Sequence, residues 1–154
     1  ANPHVKYDEG SFFGYRHFDR AEITPLFPFG FGLSYTEFRI EVLDCKLESS
    51  SAASPSVRIK VSVTNLGRRE GAEVVQLYLG ALAPSLERPR KELKDFCKLR
   101  LLPGESRDAE LVLQWRDFAF WSPTARKWIV EPGAYALSLG ASSREIVWHE
   151  EIRL

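Results

Sequence analysis

Val57, Ile59, Val61 and Val63 alternate without a break with Arg58, Lys60 and Ser62. Side chains two residues apart share one face of a strand, whereas helical neighbours recur every three to four residues. The segment is therefore a strand with an apolar face of β-branched residues and a polar face of charges. Such a face is stable only when a second layer covers it, so the chain needs other strands to pack against.

The rest of the sequence supplies them. Phe38, Ile40 and Val42 alternate with Arg39 and Glu41, and Val75, Leu77 and Leu79 share one face of a strand over Ala72–Leu79. Leu93–Leu101 is strand-like, with its register ambiguous around Phe96 and Cys97. Ala109, Leu111 and Leu113 mark another strand, as do Tyr135, Leu137 and Leu139 within Ala134–Gly140, and Ile146–Trp148 with Ile152 closes the chain. Asp117–Trp121 and Lys127–Val130 flank Ser122 and Pro123 as a hairpin or wide loop. Ser49–Ser56, Arg68–Gly71, Pro84–Pro89, Pro103–Gly104 and Pro132–Gly133 are turns and loops. About seven strands with turn signals every 8–12 residues predict an all-β antiparallel sandwich of immunoglobulin or fibronectin type III kind. No amphipathic helix-length segment competes with it.

The first quarter has a different texture. Residues 1–38 hold ten of the chain's nineteen aromatics, interspersed with Gly10, Gly14, Pro25, Pro28, Gly30 and Gly32. The pattern predicts a short strand at Ser11–Phe18 and an extended, turn-rich arm from Asp19 to Thr36. A solvated linker would be Gly/Ser-rich or charged. An arm this apolar must lie on the following domain or on a partner. The boundary falls after Thr36, giving an arm of residues 1–36 and a sandwich of 37–154. Phe29, Phe31, Leu33 and Tyr35 are expected to anchor the arm partly on the sandwich, with Gly30 and Gly32 permitting a tight backbone path.

Composition excludes several classes. Lys+Arg and Asp+Glu each total 21, against the net basic face that nucleic-acid binding requires. No apolar run approaches the ~20 residues of a spanning helix. The absence of Met, with no signal peptide at Ala1, is what a processed or excised piece would show. Catalytic candidates are sparse. Asp8 and Glu9, like Glu150 and Glu151, are sequence neighbours and point to opposite sides of an extended chain, so neither pair can flank one glycosidic oxygen. His4, His17 and His149 have no metal-ligand spacing, and no nucleophile elbow is present. No catalytic, cofactor-binding or metal-ligating residue is therefore assigned. Cys45 and Cys97 leave two readings open: a disulfide closing a loop of ~50 residues and adding about 3–4 kcal/mol, or two buried thiols. Of the four tryptophans, Trp121 and Trp128 are candidates for stacking on a polymer, while at least two of the set are expected to fill the core.

Tyr7-Asp8-Glu9-Gly10, followed by Gly14-Tyr15-Arg16 and Phe18-Asp19, resembles the end of the second domain in β-glucosidases of glycoside hydrolase family three. Leu26-Phe27-Pro28-Phe29-Gly30-Phe31-Gly32-Leu33-Ser34-Tyr35-Thr36 resembles that family's arm into its C-terminal module. Val63-Thr64-Asn65, Val74–Tyr78, Arg88-Pro89, Lys91–Leu93, Leu102–Glu105, Trp128, Gly133–Tyr135 and Gly140 resemble its fibronectin type III-like domain. The resemblance implies that the catalytic residues lie upstream of the matched region and that the parent enzyme is secreted or periplasmic. It implies a non-catalytic module bracing the catalytic domains, on the same chain or a separate subunit. Phe27, Phe29, Phe31, Leu33 and Tyr35 would be the interdomain anchors. Two alternatives stand beside it: a module docking the enzyme on plant cell-wall polymer, and a free-standing protein that recruits a catalytic subunit. A homodimer is a further expected partner arrangement; nucleic acid and membrane are not.

Overall fold

The computed structural model describes residues 8 and 10–154. Tyr7 and Glu9 of the family-like motif, and His4, lie outside the described residues. Two antiparallel sheets form a sandwich. One sheet has the order β1 (Phe38–Ser49), β2 (Ser56–Asn65) and β5 (Ser106–Leu113). In the other, β4 (Glu92–Leu101) pairs with β3 (Gly71–Ala81), which pairs with β8 (Ala134–Gly140) and then β9 (Ile146–Arg153). A small hairpin of β6 (Phe120–Ser122) and β7 (Lys127–Ile129) stands apart from both.

The alternating residues do what their spacing demands. Val57, Ile59, Val61 and Val63 are fully buried, as are Val75, Leu77, Leu137 and Leu139 of the facing sheet. Each such side chain adds about 1.5–3 kcal/mol relative to exposure. Asn65 ends β2 as a buried polar hub. Its amide donates to the carbonyls of Arg69 (2.8 Å) and Leu101 (3.1 Å). Its Oδ1 accepts from the Gly67 N–H (3.0 Å) and the Thr36 hydroxyl (2.5 Å). All four bonding positions of the amide are used. One residue thus ties the β2–β3 turn, β4 and the end of the arm together.

Two expectations are corrected. The segment read as a strand at Ser11–Phe18 contains instead the start of a six-residue helix, α1 (Tyr15–Arg20). Gly10 and Gly14 have φ of 55° and 57°, a backbone that interrupts a strand and that glycine adopts cheaply. The irregularity in β4 lies one turn of pleat earlier than Phe96 and Cys97. Asp95 pairs with Leu77 and Leu93 with Tyr78, so Lys94 is bulged out. A second short helix, α2 (Trp115–Phe118), is closed by Asp117, which accepts the Gln114 N–H at 2.8 Å. It carries Phe118 edge-on to Tyr135 in the core.

Cys45 and Cys97 are free thiols. They sit on edge strands of opposite sheets, β1 and β4, and each packs against the core. Burial, reinforced by Glu150 and Asp44, pushes the Cys45 thiol up to about 11 from an ordinary 9.0. Burial raises Cys97, Tyr78 and Tyr135 as well. These groups stay neutral in the fold after they would ionise in the unfolded chain. Their contribution to stability is complete below the unfolded values and is lost as pH rises through the folded ones.

Two outcomes are expected. Urea midpoints should hold near neutrality and fall as pH rises from 9 through about 11, with a shallower fall in Cys45→Ser. Leu77→Ala should cost about 2–5 kcal/mol in the same titrations, because it opens a cavity between the two sheets.

Candidate docking interface

The exposed face of a sandwich sheet is ordinarily polar, since only one face meets the core. β3 departs from this: every residue from Val75 to Gly80 is buried. Val75, Leu77 and Leu79 face the core, so Gln76, Tyr78 and Gly80 are covered from outside. The arm covers Gln76 and Tyr78, and the loop before β4 covers Gly80.

Tyr15 of α1 meets Tyr78 edge-on at 5.9 Å and Phe29 at 5.2 Å. Its hydroxyl accepts the Leu93 N–H at 2.8 Å, beside the β4 bulge. The Tyr78 hydroxyl donates to Gln76 Oε1 at 2.5 Å, and the Gln76 amide donates to the Ala141 carbonyl at 2.6 Å. Phe31 N–H bonds the Pro28 carbonyl at 2.9 Å, closing a turn whose third residue, Gly30, has φ of 85°. That is the type II position that glycine favours. A Cβ there would also run into the Gln76 side chain at 2.2 Å. The turn aims the Phe29 carbonyl at the Ser143 N–H, 2.8 Å away. Gly32 has open space around it and an ordinary φ, so only Gly30 is required by the backbone path.

Charge fixes the arm in register. Asp19 is 7% exposed and lies 2.9 Å from Lys91 Nζ and 3.1 Å from Arg144 Nη2. Arg144 also donates to the Ile23 carbonyl at 3.2 Å. Arg16 pairs with Glu92 at 3.1 Å, Arg20 with Glu87 at 2.8 Å and Arg90 with Glu22 at 2.7 Å. The last two pairs are exposed and contribute little. Asp19 is different: its loss would leave Lys91, which is mostly buried, without a counter-charge.

Of the residues expected to anchor the arm on the sandwich, Phe29 does so and Leu33 and Tyr35 do not. Tyr15, at a position absent from the anchor set, holds the arm to the sandwich. Phe29 is half-exposed behind it. Leu33 is 93% and Tyr35 89% exposed, so neither packs on the sandwich. The Arg69 guanidinium lies 5.8 Å from the centroid of the Tyr35 ring. Leu26, Phe27 and Phe31 also project outward, with Phe27 and Phe31 stacked on each other at 5.5 Å. Phe96 of β4, 61% exposed, joins them beside Phe29 and Val74. Sequence reasoning missed Phe96. Its signal is an aromatic in phase with Lys98 and Arg100 on the outward side of an alternating strand. The arm is thus clamped on its inner side and presents a continuous apolar outer side running over Phe96, Phe29, Phe31 and Leu33.

Trp121 and Trp128 are a cross-strand pair on the β6–β7 hairpin, 5.8 Å apart at 67°. They are brought together, but edge to face rather than as a flat array. His17 of α1 is exposed, and His149 of β9 bonds the Ser138 hydroxyl at 3.0 Å. Glu150 and Glu151 are exposed neighbours on β9.

A sandwich of three plus four strands with an apposed arm defines the class: residues 73–143 match the fibronectin type III-like domain. The chain belongs with that domain as it occurs in family three β-glucosidases. It is 42% identical over 151 residues to thermostable beta-glucosidase B of Acetivibrio thermocellus, covering 97% of this chain and 20% of that protein. It is 43% identical to a beta-glucosidase of Rhizobium radiobacter, covering 93% of this chain and 17% of that one. Among solved structures, a β-glucosidase of Kluyveromyces marxianus in complex with glucose superposes with a TM-score of 0.88 at 38% identity, over 96% of this chain and 18% of that one. The family 3 β-glucosidase of Bifidobacterium adolescentis gives 0.86 at 37% identity, over 95% and 21%. The chain spans about a fifth of the length of these relatives.

Asp19→Asn should loosen the arm without unfolding the sandwich. Hydrogen exchange should quicken across residues 15–23 and stay slow in β2, with a cost of about 1–3 kcal/mol set by the uncompensated Lys91. Arg20→Gln, at an exposed pair, should change stability by less than about 0.5 kcal/mol.

Proposed function

We propose that this chain is a non-catalytic accessory module that braces the catalytic part of a β-glucosidase-like enzyme through its aromatic arm. The observation that carries the reading is the two-sidedness of the arm. Its inner side is fixed to the sandwich by Tyr15, Asp19 and the Phe29 carbonyl. Its outer side holds Leu26, Phe27, Phe31, Leu33 and Tyr35 in water, which is costly for a surface with no partner. Clamping such a surface before it meets its neighbour lowers the entropy lost on docking. Residues 1–36 act as the connecting arm and 37–154 as the braced sandwich. The size of the relatives supports the same view: each carries about four-fifths of its length outside the matched stretch, and in this reading that remainder supplies the reacting groups.

The test exploits the difference between an exposed residue and an interface residue. Phe27, Phe31, Leu33 and Tyr35 are replaced together by serine, in the isolated chain and in a chimera where this chain replaces the matching fifth of the Acetivibrio enzyme. The isolated chain should keep its stability to within about 1 kcal/mol, as for surface positions. The chimera should lose several degrees of thermal midpoint relative to the unsubstituted chimera. Equal midpoints in the two chimeras would overturn the brace, as would hydrolysis of an aryl β-glucoside by the isolated chain.

A further inference from the structure

A cleft of about 670 Å³ lies between the β6–β7 hairpin and the loop leading into β4, within the range of small-ligand sites. Its walls include Trp121, Trp128, Arg116, Arg88 and Glu92. Trp121 is 48% and Trp128 40% exposed, an unusual outlay of indole surface for a two-strand ribbon outside both sheets. The Arg116 guanidinium lies 3.3 Å from the centroid of the Trp128 ring and covers it. Trp128 is thereby the support for a cation, and Trp121 is left as the ring surface open to a ligand.

The cleft is lined by three carboxylates, Glu87, Glu92 and Asp117, and three bases, Arg88, Lys94 and Arg116, but they are not paired with one another throughout. Glu87 is held by Arg20, and Glu92 by Arg16 and Lys94. Asp117 accepts the backbone N–H of Gln114. Among the described residues no carboxylate pairs with Arg116 or with Arg88, whose guanidinium stacks 4.7 Å from the Phe120 centroid and has one nitrogen without a hydrogen-bond partner. Arg116 and Arg88 are thus lining cations without a carboxylate partner among the described residues, set beside an indole.

We propose that this cleft binds a uronate ring, the pyranose face on Trp121 and the carboxylate on Arg116, as found in an acidic glycan chain. Indole faces pack on the C–H surface of a sugar while a planar guanidinium takes a carboxylate through two parallel donors. The 67° angle between the indoles gives room for one ring and does not match the flat face of a neutral crystalline polymer. The site does not depend on the bracing role, because none of its residues is on the apolar side of the arm.

The isolated chain, titrated with trigalacturonate and followed by tryptophan emission and calorimetry, tests this. Saturable binding is expected, weakened at least about tenfold by Arg116→Gln and severalfold by raising salt from about 50 to about 300 mM, as for exposed charge contacts. Trp121→Ala should abolish the calorimetric signal, with circular dichroism confirming the fold. Arg116→Gln, at an exposed position, keeps the test decisive if Trp121→Ala disturbs the hairpin. Monomeric galacturonate binding as tightly as the trimer would assign the site to a free uronate; tighter trimer binding would assign it to a chain. Absence of saturation, equal affinity for neutral cellotriose, or an unchanged Arg116→Gln variant would each overturn the proposal.

Discussion

The covering of Tyr78 by Tyr15 is the contact on which the rest of the molecule depends. A seven-stranded sandwich needs no third layer, yet β3 is built for one: Gln76, Tyr78 and Gly80 occupy its outward positions and are all shut off from water. Left bare, Tyr78 would expose a large ring, and the Gln76 amide would stand in solvent without the packing that orients it. The neighbouring chain is shaped to the same end. A Cβ at Gly80 would fall 1.9 Å from the Arg90 carbonyl oxygen, so the loop before β4 can lie flat on the sheet and carry Lys91 to Asp19. The arm is therefore part of the fold, although its sequence reads as a connector.

Apolar and ionic contacts divide the work. The tyrosine and phenylalanine rings supply most of the favourable area, but an aromatic contact can slide. Asp19 cannot, because each of its oxygens meets a different cation, Oδ2 Lys91 ahead of β4 and Oδ1 Arg144 in the turn before β9. Burying a carboxylate costs desolvation that its partners offset only in good geometry. The gain is in uniqueness: one placement of α1 satisfies Asp19, Arg16 and the Tyr15 hydroxyl together. Fixing α1 fixes the turn at Gly30, and that turn decides which side of residues 26–35 faces away.

How much of this was legible in the sequence follows from how local each signal is. The strands β2, β3 and β8 were readable because their alternation is strict and their inner faces are aliphatic. The matching alternation in β3 hid its second burial, since a period of two reports which residues share a face and not what covers the other one. Tyr78 looked like a residue on the polar side; only the distant Tyr15 makes it a core residue. The strand expected at Ser11–Phe18 gives way to α1 because Gly10 and Gly14 take positive φ values that break extension. The apolar character of the arm was legible, and its inner side lies on the sandwich through Tyr15 and Asp19. Which of its rings face inward was not, because that depends on a single turn at Gly30. The two cysteines carried no local information about their separation, which is set by the sheet order.

The Phe31–Leu33 stretch of the arm and the hairpin cleft border different ends of β4, and this bears on whether one module can hold a neighbour and a ligand together. The apolar side of the arm extends beside Ala72, Val74 and Lys98, toward the Gly71 end of β3. The Trp121 cleft is lined by Glu92, Leu93 and Lys94, at the other end of β4. Ser11 also lines that cleft, so the arm enters beside it and leaves at the far end. A neighbour pressed on the Phe31 side would exclude water from a surface with few charges, where packing dominates. A ligand at Trp121 would meet a polar rim with charges of both signs, among them the Arg116 guanidinium, where charge and salt dominate. The two surfaces differ in chemistry and meet at Leu93, which lines both the cleft and the apolar side beside Phe29 and Phe96, over one layer clamped through Tyr15 and Asp19.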